Sequence, residues 1–370
     1  MSVFRTSLVQ FVSVCLFSIR RTLPAHLPLY ICAVLFTAAT AAITYAYNAP
    51  LKFEASLFFL RTFPVFMLVG LFLAALVKVV RLALAGNQYP LKDFGDWAYW
   101  SAVGHDRPGN IVHSVITITP LMISFTAVKE FIPLIHPFTW DPVFEHWDRV
   151  LGLGYAPWEL LQPIIGYPAV TMMFDVLYNS WFIVIFGALI WQAFFAAASR
   201  IRMQYLLAFS LSWFIGGSIL AVAFASVGPC YFGFLHSPDP YAPQLAYLRE
   251  ASREWSLVTP YIQDRLWASY AETKGANFGI SAMPSMHVAA AVLTALIARR
   301  SGQLLGIIFT VYAALIVIGS VHLAWHYAVD GVAGVALAIL LWRVAGVLVR
   351  VNASLPLIES SYLSAGTKEI

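Results

Sequence analysis

The chain alternates between long apolar runs and shorter polar stretches, and the lengths of the apolar runs are its main structural signal. An α-helix rises about 1.5 Å per residue, so about 20 apolar residues cross the hydrocarbon core of a bilayer. Eight runs are long enough, or nearly so, to form such helices: 25–46, 58–80, 111–135, 169–196, 204–228, 283–299, 303–323 and 327–349. The pattern predicts an all-α integral membrane protein with about eight transmembrane helices.

The N-terminal segment does not fit this pattern. Residues 6–19 are mostly apolar, but as a helix they would extend only about 21 Å. No small-residue cleavage site of the signal-peptide type follows them; Arg20 and Arg21 come next. We therefore expect residues 1–24 to form an interfacial helix, with a ninth transmembrane helix as the alternative.

The remaining predicted segments are two transmembrane helices in residues 25–110, six more in residues 111–349 and a cytoplasmic tail in residues 350–370.

Composition supports a membrane environment and excludes several other classes of protein. Hydrophobic residues make up 60% of the chain and charged residues 11%, whereas soluble domains carry about 25% charged residues. The mean hydropathy is +0.77. The net charge of +4 is scattered, so a nucleic-acid partner is not expected. The three cysteines lie in no CxxC pattern, which argues against a disulfide framework or a zinc site.

The distribution of positive charge predicts the orientation. Short connections rich in arginine, such as Arg200-Ile201-Arg202 and Arg299-Arg300, are typical of cytoplasmic loops. This orientation puts both termini in the cytoplasm. The polar stretches 136–168 and 229–282 then lie on the opposite face, which is periplasmic, extracellular or luminal.

One cluster of chemically competent residues begins the sixth predicted helix. Residues 279–287 read Gly-Ile-Ser-Ala-Met-Pro-Ser-Met-His. Pro284 is expected at the first helical position, where its missing N–H leaves no intrahelical bond unmade. Ser285 and His287 then lie in the first turn. Free N–H groups and the positive end of the helix dipole favour an anion there.

A second cluster begins the eighth predicted helix. His326 and Asp330 are four residues apart and share one helix face. A carboxylate that accepts the N–H of one imidazole nitrogen leaves the other nitrogen as a lone pair, which a nucleophilic histidine requires. Two antiparallel helices joined by a short turn at residues 299–302 bring both clusters to the same level of the membrane.

These two clusters resemble motifs of the type 2 phosphatidic acid phosphatase superfamily of membrane enzymes. That family has Pro-Ser-Gly-His in its second motif and His-x3-Asp in its third. The segments 284–287 and 326–330 occupy the corresponding places here. The resemblance covers the last six predicted helices, so it implies that residues 111–349 form a six-helix catalytic core and that the two helices in residues 25–110 are accessory.

The resemblance also implies roles for individual residues. His326 would be the nucleophile that forms a phosphohistidine, and Asp330 would orient it. His287 would protonate the leaving oxygen, and Ser285 would help to hold the phosphate. No metal and no other cofactor is expected.

The chain departs from the family pattern where the family has basic residues. The first motif, Lys-x6-Arg-Pro, is missing after the fifth predicted helix, and Gly319-Ser320 stands where Ser-Arg is usual. The pair His326-Tyr327 without an upstream arginine is more similar to the inositol phosphorylceramide synthase and sphingomyelin synthase branch, as is Pro229-Cys230-Tyr231. We therefore count Tyr327 among the substrate-binding candidates. The first candidates for phosphate neutralisation are Arg249 and Arg253, followed by Arg265, Lys274 and Lys129.

Other polar residues have structural interpretations that compete with functional ones. His322 is expected to pack rather than to react. Asp175 either lines a polar path or bonds between helices. The acidic stretch that contains Asp141 and Asp148 is expected to be a solvated loop, with headgroup recognition as the alternative.

The function that these patterns favour is phosphotransfer between membrane lipids. A phosphate or phosphoalcohol headgroup would move from a phospholipid to a lipid or polyol acceptor through a phosphohistidine. A lipid phosphate phosphatase, acting on phosphatidate or a prenyl diphosphate, is the alternative enzyme. A non-catalytic transporter is the alternative of another class, and the absence of paired broken helices in related halves argues against it.

Overall fold

The computed structural model describes residues 2–48, 54–86, 88–196, 199–272 and 279–353, and within them the chain is helical, with no β-strand. The first eight α-helices are α1 Ser2–Ala46, α2 Glu54–Leu84, α3 Pro90–Val103, α4 Arg107–Ile135, α5 Asp141–Leu151, α6 Pro157–Ile165, α7 Pro168–Asn179 and α8 Trp181–Ile190. The others are α9 Arg200–Leu211, α10 Ala221–Ala223, α11 Phe232–Leu235, α12 Ala242–Trp255, α13 Val258–Glu272, α14 Met286–Ser301, α15 Gln303–His322 and α16 Ala328–Ala353.

Several of these helices join into longer rods that are suited to a bilayer. A π-helical turn, Trp191–Phe195, extends α8, and a π-helical stretch, Ser212–Leu220, links α9 to α10. Six rods of the described residues are long and apolar enough to cross a membrane: Val9–Ala46, Pro90–Ile135, Pro168–Phe194, Arg200–Ala223, Gln303–His322 and Ala328–Ala353. The prediction of an all-α integral membrane protein is confirmed.

The two other predicted transmembrane runs also form helices. The second run lies within α2. The sixth forms α14, whose 16 residues extend about 24 Å. Helix α14 is therefore slightly shorter than the hydrocarbon core is thick.

The ends of the chain differ from the predicted segments. Helix α1 is a single helix of 45 residues, with Pro24 and Pro28 inside it, so no break separates residues 1–24 from the first transmembrane run. Its attachment to the membrane surface stays a prediction. At the other end, α16 continues to Ala353 and includes the first residues of the predicted tail. Residues 354–370 lie outside the described residues.

The core of the bundle is built from helices that are far apart in sequence. Helix α14 packs against α15, α16 and α9, while α16 also packs against α9. Helix α1 packs along α4 and reaches α9, so this predicted accessory helix contacts the core directly. Side chains with no exposed surface, such as Leu206, Val288 and Ile316, fill the interior.

Arg202 departs from the expectation of a solvent-facing cytoplasmic arginine. It is 1% exposed, and its guanidinium donates to the carbonyls of Gln192 and Ala193 and to the Ser114 hydroxyl. The ring of His26 accepts a further bond at 3.2 Å. Burial of an arginine is favourable only when its donors are satisfied, as they are here. Arg202 therefore ties α9 to the end of the α8 rod and contributes no surface charge.

Candidate active site

The two motifs meet at one end of the bundle, which we call the site end. The Ser285 backbone N–H donates to the Asp330 carbonyl at 3.1 Å, which joins the start of α14 to the start of α16. Gly334 makes this approach possible, because a Cβ at that position would lie 2.6 Å from the Ser285 carbonyl oxygen. A glycine one helical turn after Asp330 thus lets the two motifs touch.

His326 and Asp330 are paired, although not on one helix face as predicted, because α16 begins at Ala328 and His326 lies in the bend before it. The Nδ1 atom of His326 lies 3.3 Å from Oδ2 of Asp330, and both side chains are buried. The same carboxylate oxygen accepts the Tyr327 backbone N–H at 3.0 Å. With Nδ1–H donated to the carboxylate, Nε2 of His326 carries the lone pair. This is the arrangement that a nucleophilic histidine needs.

His287 lies opposite His326, and aromatic rings surround it. The two imidazole centroids are 5.9 Å apart. Tyr178 stacks on His287 with a centroid separation of 4.8 Å, and Trp181 lies 4.3 Å away. The Trp181 indole N–H also donates to the His287 carbonyl at 2.9 Å. These contacts hold the second imidazole in a fixed orientation beside the first.

Two residues expected to bind substrate have structural contacts instead. Ser285 is fully buried and is the N-cap of α14, where its hydroxyl accepts the Val288 N–H at 3.4 Å. The helix begins at Met286, so the prediction that Pro284 is its first residue is wrong. Tyr327 is also fully buried, and its hydroxyl donates to Asp141 at 2.8 Å. The geometry favours anchoring roles for both side chains, and their contact with substrate stays a prediction.

The expectation of a solvated acidic loop is wrong for Asp141 and Asp148, which are 0% and 2% exposed. Asp148 accepts the N–H groups of Ala328 and Val329 and thereby caps α16. Asp141 accepts the N–H groups of residues 227 and 228. Burial raises the pKa of both carboxyls, that of Asp148 to about 7, while these hydrogen bonds act in the opposite direction.

Asp175 and His322 also have structural partners. Asp175 accepts the N–H groups of Val258 and Thr259 at 2.8 and 2.9 Å, which fixes the start of α13 against α7. This contact agrees with the interpretation that Asp175 forms hydrogen bonds between helices. The His322 ring lies 2.9 Å from the Thr171 hydroxyl inside the bundle.

The arginines that were predicted to neutralise the phosphate lie at the protein surface. Arg249, Arg253 and Arg265 are exposed on α12 and α13. Arg253 forms a salt bridge with Glu250, and Arg249 lines a small cleft beside Tyr231. Lys274 is outside the described residues. The phosphate role of Arg249 and Arg253 stays a prediction.

Lys129 is the candidate cation that the structure brings to the histidine pair. It lies near the site end of α4, is partly buried, and interacts electrostatically with His287. Gly279 packs against the Lys129 carbonyl so closely that a Cβ there would collide with it. None of the salt bridges found among the described residues involves Lys129.

Two features of the site had no clear sequence signal. Tyr178 and Trp181 contact His287 from the junction of α7 and α8, and their spacing in the sequence is that of ordinary helix packing residues. The polar residues Asp175, Tyr178 and Asn179 within an apolar stretch were the sequence feature that could have indicated this part of the site. Polar side chains are rare in transmembrane helices and often have a function there.

The site is thus a buried histidine–aspartate pair facing a second histidine at one end of an all-helical membrane bundle. A family model described as the PAP2 superfamily matches residues 144–344, more than half of the chain, and the matched segment contains both motifs. The chain belongs to the PAP2 superfamily, whose members are phosphatases or phosphotransferases. No curated protein and no solved structure matches the chain.

Proposed function

We propose that this protein transfers a phosphate or phosphoalcohol headgroup from a membrane phospholipid to the hydroxyl of a lipid or polyol acceptor, with a phosphohistidine at His326. The observation that carries the proposal is the geometry of the pair. Nδ1 of His326 is held by a buried carboxylate, while Nε2 is left for phosphorus. His287 lies across the gap, with 5.9 Å between ring centroids.

The two half-reactions use these groups in turn. In the first, Nε2 of His326 attacks phosphorus, the bond from phosphorus to the diacylglycerol oxygen breaks, and protonated His287 gives its proton to that oxygen. In the second, the acceptor hydroxyl attacks phosphorus, its proton goes to His287, and the phosphorus–nitrogen bond breaks. Asp330 stabilises the positive charge on His326 while phosphorus is attached.

The charge of the site supports transfer between phosphodiesters. The family phosphatases that hold a phosphomonoester have several basic residues in their first and third motifs, whereas this chain has Ser320 at the arginine position. Lys129 interacts with His287, and the arginines on α12 are exposed. A phosphodiester carries one negative charge fewer than a phosphomonoester dianion, so it needs fewer cations. This argument favours headgroup transfer of the inositol phosphorylceramide synthase type over hydrolysis of a phosphomonoester.

Acceptor recognition needs groups other than the buried acids. Asp141 and Asp148 use their carboxylate oxygens to bind backbone N–H groups, so they are not free to bind a polyol. Glu145 forms a salt bridge with Arg149. The proposal of a transferase therefore depends on the charge of the site, and these acidic residues do not contribute to it.

Product identity tests the proposal. Purified protein is incubated with a panel of labelled phospholipids, with and without ceramide or diacylglycerol as acceptor. We expect a labelled product lipid that forms only when an acceptor is present, and none with His326→Ala. Release of free phosphate at the same rate with and without acceptor would show a phosphatase instead. Full activity of His326→Ala would refute the phosphohistidine.

A further inference from the structure

A tyrosine outside both motifs has a buried hydroxyl without a partner. Tyr178, on α7, is 4% exposed, and its hydroxyl makes no hydrogen bond to any described residue. Buried hydroxyls are normally paired, so an unpaired one beside a reaction centre indicates a place for a ligand atom. By contrast, Tyr327 donates its hydroxyl to Asp141, and Tyr231 donates to the Gln263 carbonyl.

The ring of Tyr178 is held between two residues of the site. It stacks on His287 with an interplanar angle of 19°, and lies nearly parallel to Trp325 at 11° with 6.4 Å between centroids. Trp325 directly precedes His326, so the Tyr178 ring lies beside both motifs, although α7 belongs to neither.

Tyr178 also occupies the region next to the position where the family has an arginine. A Cβ at Gly319 would meet Phe174 at 3.2 Å and Tyr178 at 3.7 Å, so rings from α7 fill the surface of α15 there. Ser320, at the arginine position, turns its hydroxyl back to the Val317 carbonyl of its own helix. A neutral tyrosine from another helix thus packs beside the segment of α15 in which the family arginine is missing.

We propose that Tyr178 is a catalytic residue whose hydroxyl donates a hydrogen bond to a non-bridging oxygen of the phosphoryl group bound between His287 and His326. This inference rests on the proposed phosphotransfer function and deepens it. A neutral donor stabilises the negative charge that develops on these oxygens, and the site then needs no second cation besides Lys129. The resulting site matches a singly charged phosphodiester.

The variant Tyr178→Phe isolates the hydroxyl, because phenylalanine keeps the ring that packs on His287 and Gly319. We expect kcat/KM to fall by about 10²-fold, the scale seen when one donor to a transition-state oxygen is removed. Inhibition by vanadate, which mimics pentavalent phosphorus and has no lipid tail, should weaken in parallel. The melting temperature should stay the same or rise, since the lost hydroxyl has no protein partner.

Tyr205→Phe is the matched control. Tyr205 is a fully buried tyrosine on α9, its hydroxyl interacts with Thr294, and its ring neighbour is Phe209, so it lies away from both motifs. We expect its kcat/KM and vanadate inhibition to stay within about twofold of wild type. A parallel loss of melting temperature and activity in Tyr178→Phe would indicate a packing role and overturn the inference.

Different results would refute the role of Tyr178 and the proposed phosphotransfer function. Wild-type kcat/KM and vanadate inhibition in Tyr178→Phe, with His326→Ala inactive, would overturn the role of Tyr178 and leave phosphotransfer intact. Activity retained in His326→Ala would overturn the proposed function itself.

Discussion

Replacement of Gly334 by alanine tests whether the close approach of α16 to α14 sets the geometry of the site. The new Cβ would lie 2.6 Å from the Ser285 carbonyl oxygen and 3.3 Å from Cβ of Val288. An ordinary contact begins near 3.4 Å, so the two helices must separate by about 0.8 Å. Because the obstacle is backbone, no side-chain rotation relieves it. The change moves His326, on one side of the site, away from His287 on the other.

The expected loss is large in activity and moderate in stability. Misplacement of reacting groups by about 1 Å can cost about 10²-fold in rate, so we expect turnover to fall by about 10- to 100-fold. Overpacking of this kind costs about 1–3 kcal/mol, partly offset by the better helix propensity of alanine. Turnover of labelled phospholipid and thermal unfolding in detergent measure the two effects.

Gly331→Ala on the same helix is the control for Gly334→Ala. A Cβ at Gly331 would meet Val317 at 3.5 Å and Val288 at 4.0 Å, which are ordinary contacts. We expect wild-type turnover and equal or higher stability for this variant, since alanine favours the helix. If Gly334→Ala also keeps wild-type turnover and melting temperature, the close approach does not control the site and the reasoning is refuted.

Four further predictions follow from the site and its surroundings. Asp330→Asn should lower turnover by about 10⁴-fold, the scale of losing the group that orients a catalytic histidine, and kinetics equal to wild type would exclude that role. The folded-state pKa of Asp148 is about 7, above the ordinary 3.8, so its contribution to stability is present at low pH and is lost as pH rises toward 7. The melting temperature of wild type should therefore fall between about pH 4 and pH 8 more steeply than that of Asp148→Asn, and parallel curves would contradict this. A metal chelator should leave activity unchanged, because no group of three or more His, Cys, Asp or Glu suited to a metal is found among the described residues. Vanadate, which mimics pentavalent phosphorus, should inhibit. Loss of activity in chelator that magnesium or zinc restores would contradict the prediction. Cysteines introduced in residues 229–282 should react with a membrane-impermeant thiol reagent on intact cells, whereas cysteines next to Arg300 should not, and the reverse pattern would invert the predicted orientation.

The transmembrane helices could be predicted because run length and apolar content are sufficient to indicate them. The proximity of His326 and Asp330 was predicted, but for the wrong reason. Helix α16 begins at Ala328, so His326 precedes it and the two residues do not share a helix face. The 3.3 Å contact forms because the chain bends before α16 and the Asp330 carboxylate reaches back over the helix start, where it also accepts the Tyr327 N–H.

Capping contacts were harder to predict. Asp148 lies in a polar stretch of the kind that is usually solvated, and nothing in its neighbours indicates that it binds the N–H groups of Ala328 and Val329, 180 residues further along the chain. Asp141 and Asp175 behave in the same way. Free N–H groups at helix starts attract carboxylates, but only the packing of the bundle determines which carboxylate reaches which helix.

The class of fold and the two motifs could be predicted from the amino-acid sequence, because apolar run length and short residue patterns are sufficient to indicate them, whereas the reactive roles of His287 and His326 stay predictions. Only the packing of the helices brings the Tyr178 ring, with its unpaired hydroxyl, against His287, and places Lys129 within electrostatic range of that histidine while the arginines of α12 stay exposed. Both residues come from helices outside the motifs. The position of Tyr178 depends on how α7 packs against α15, and that packing leaves no periodic pattern in the chain.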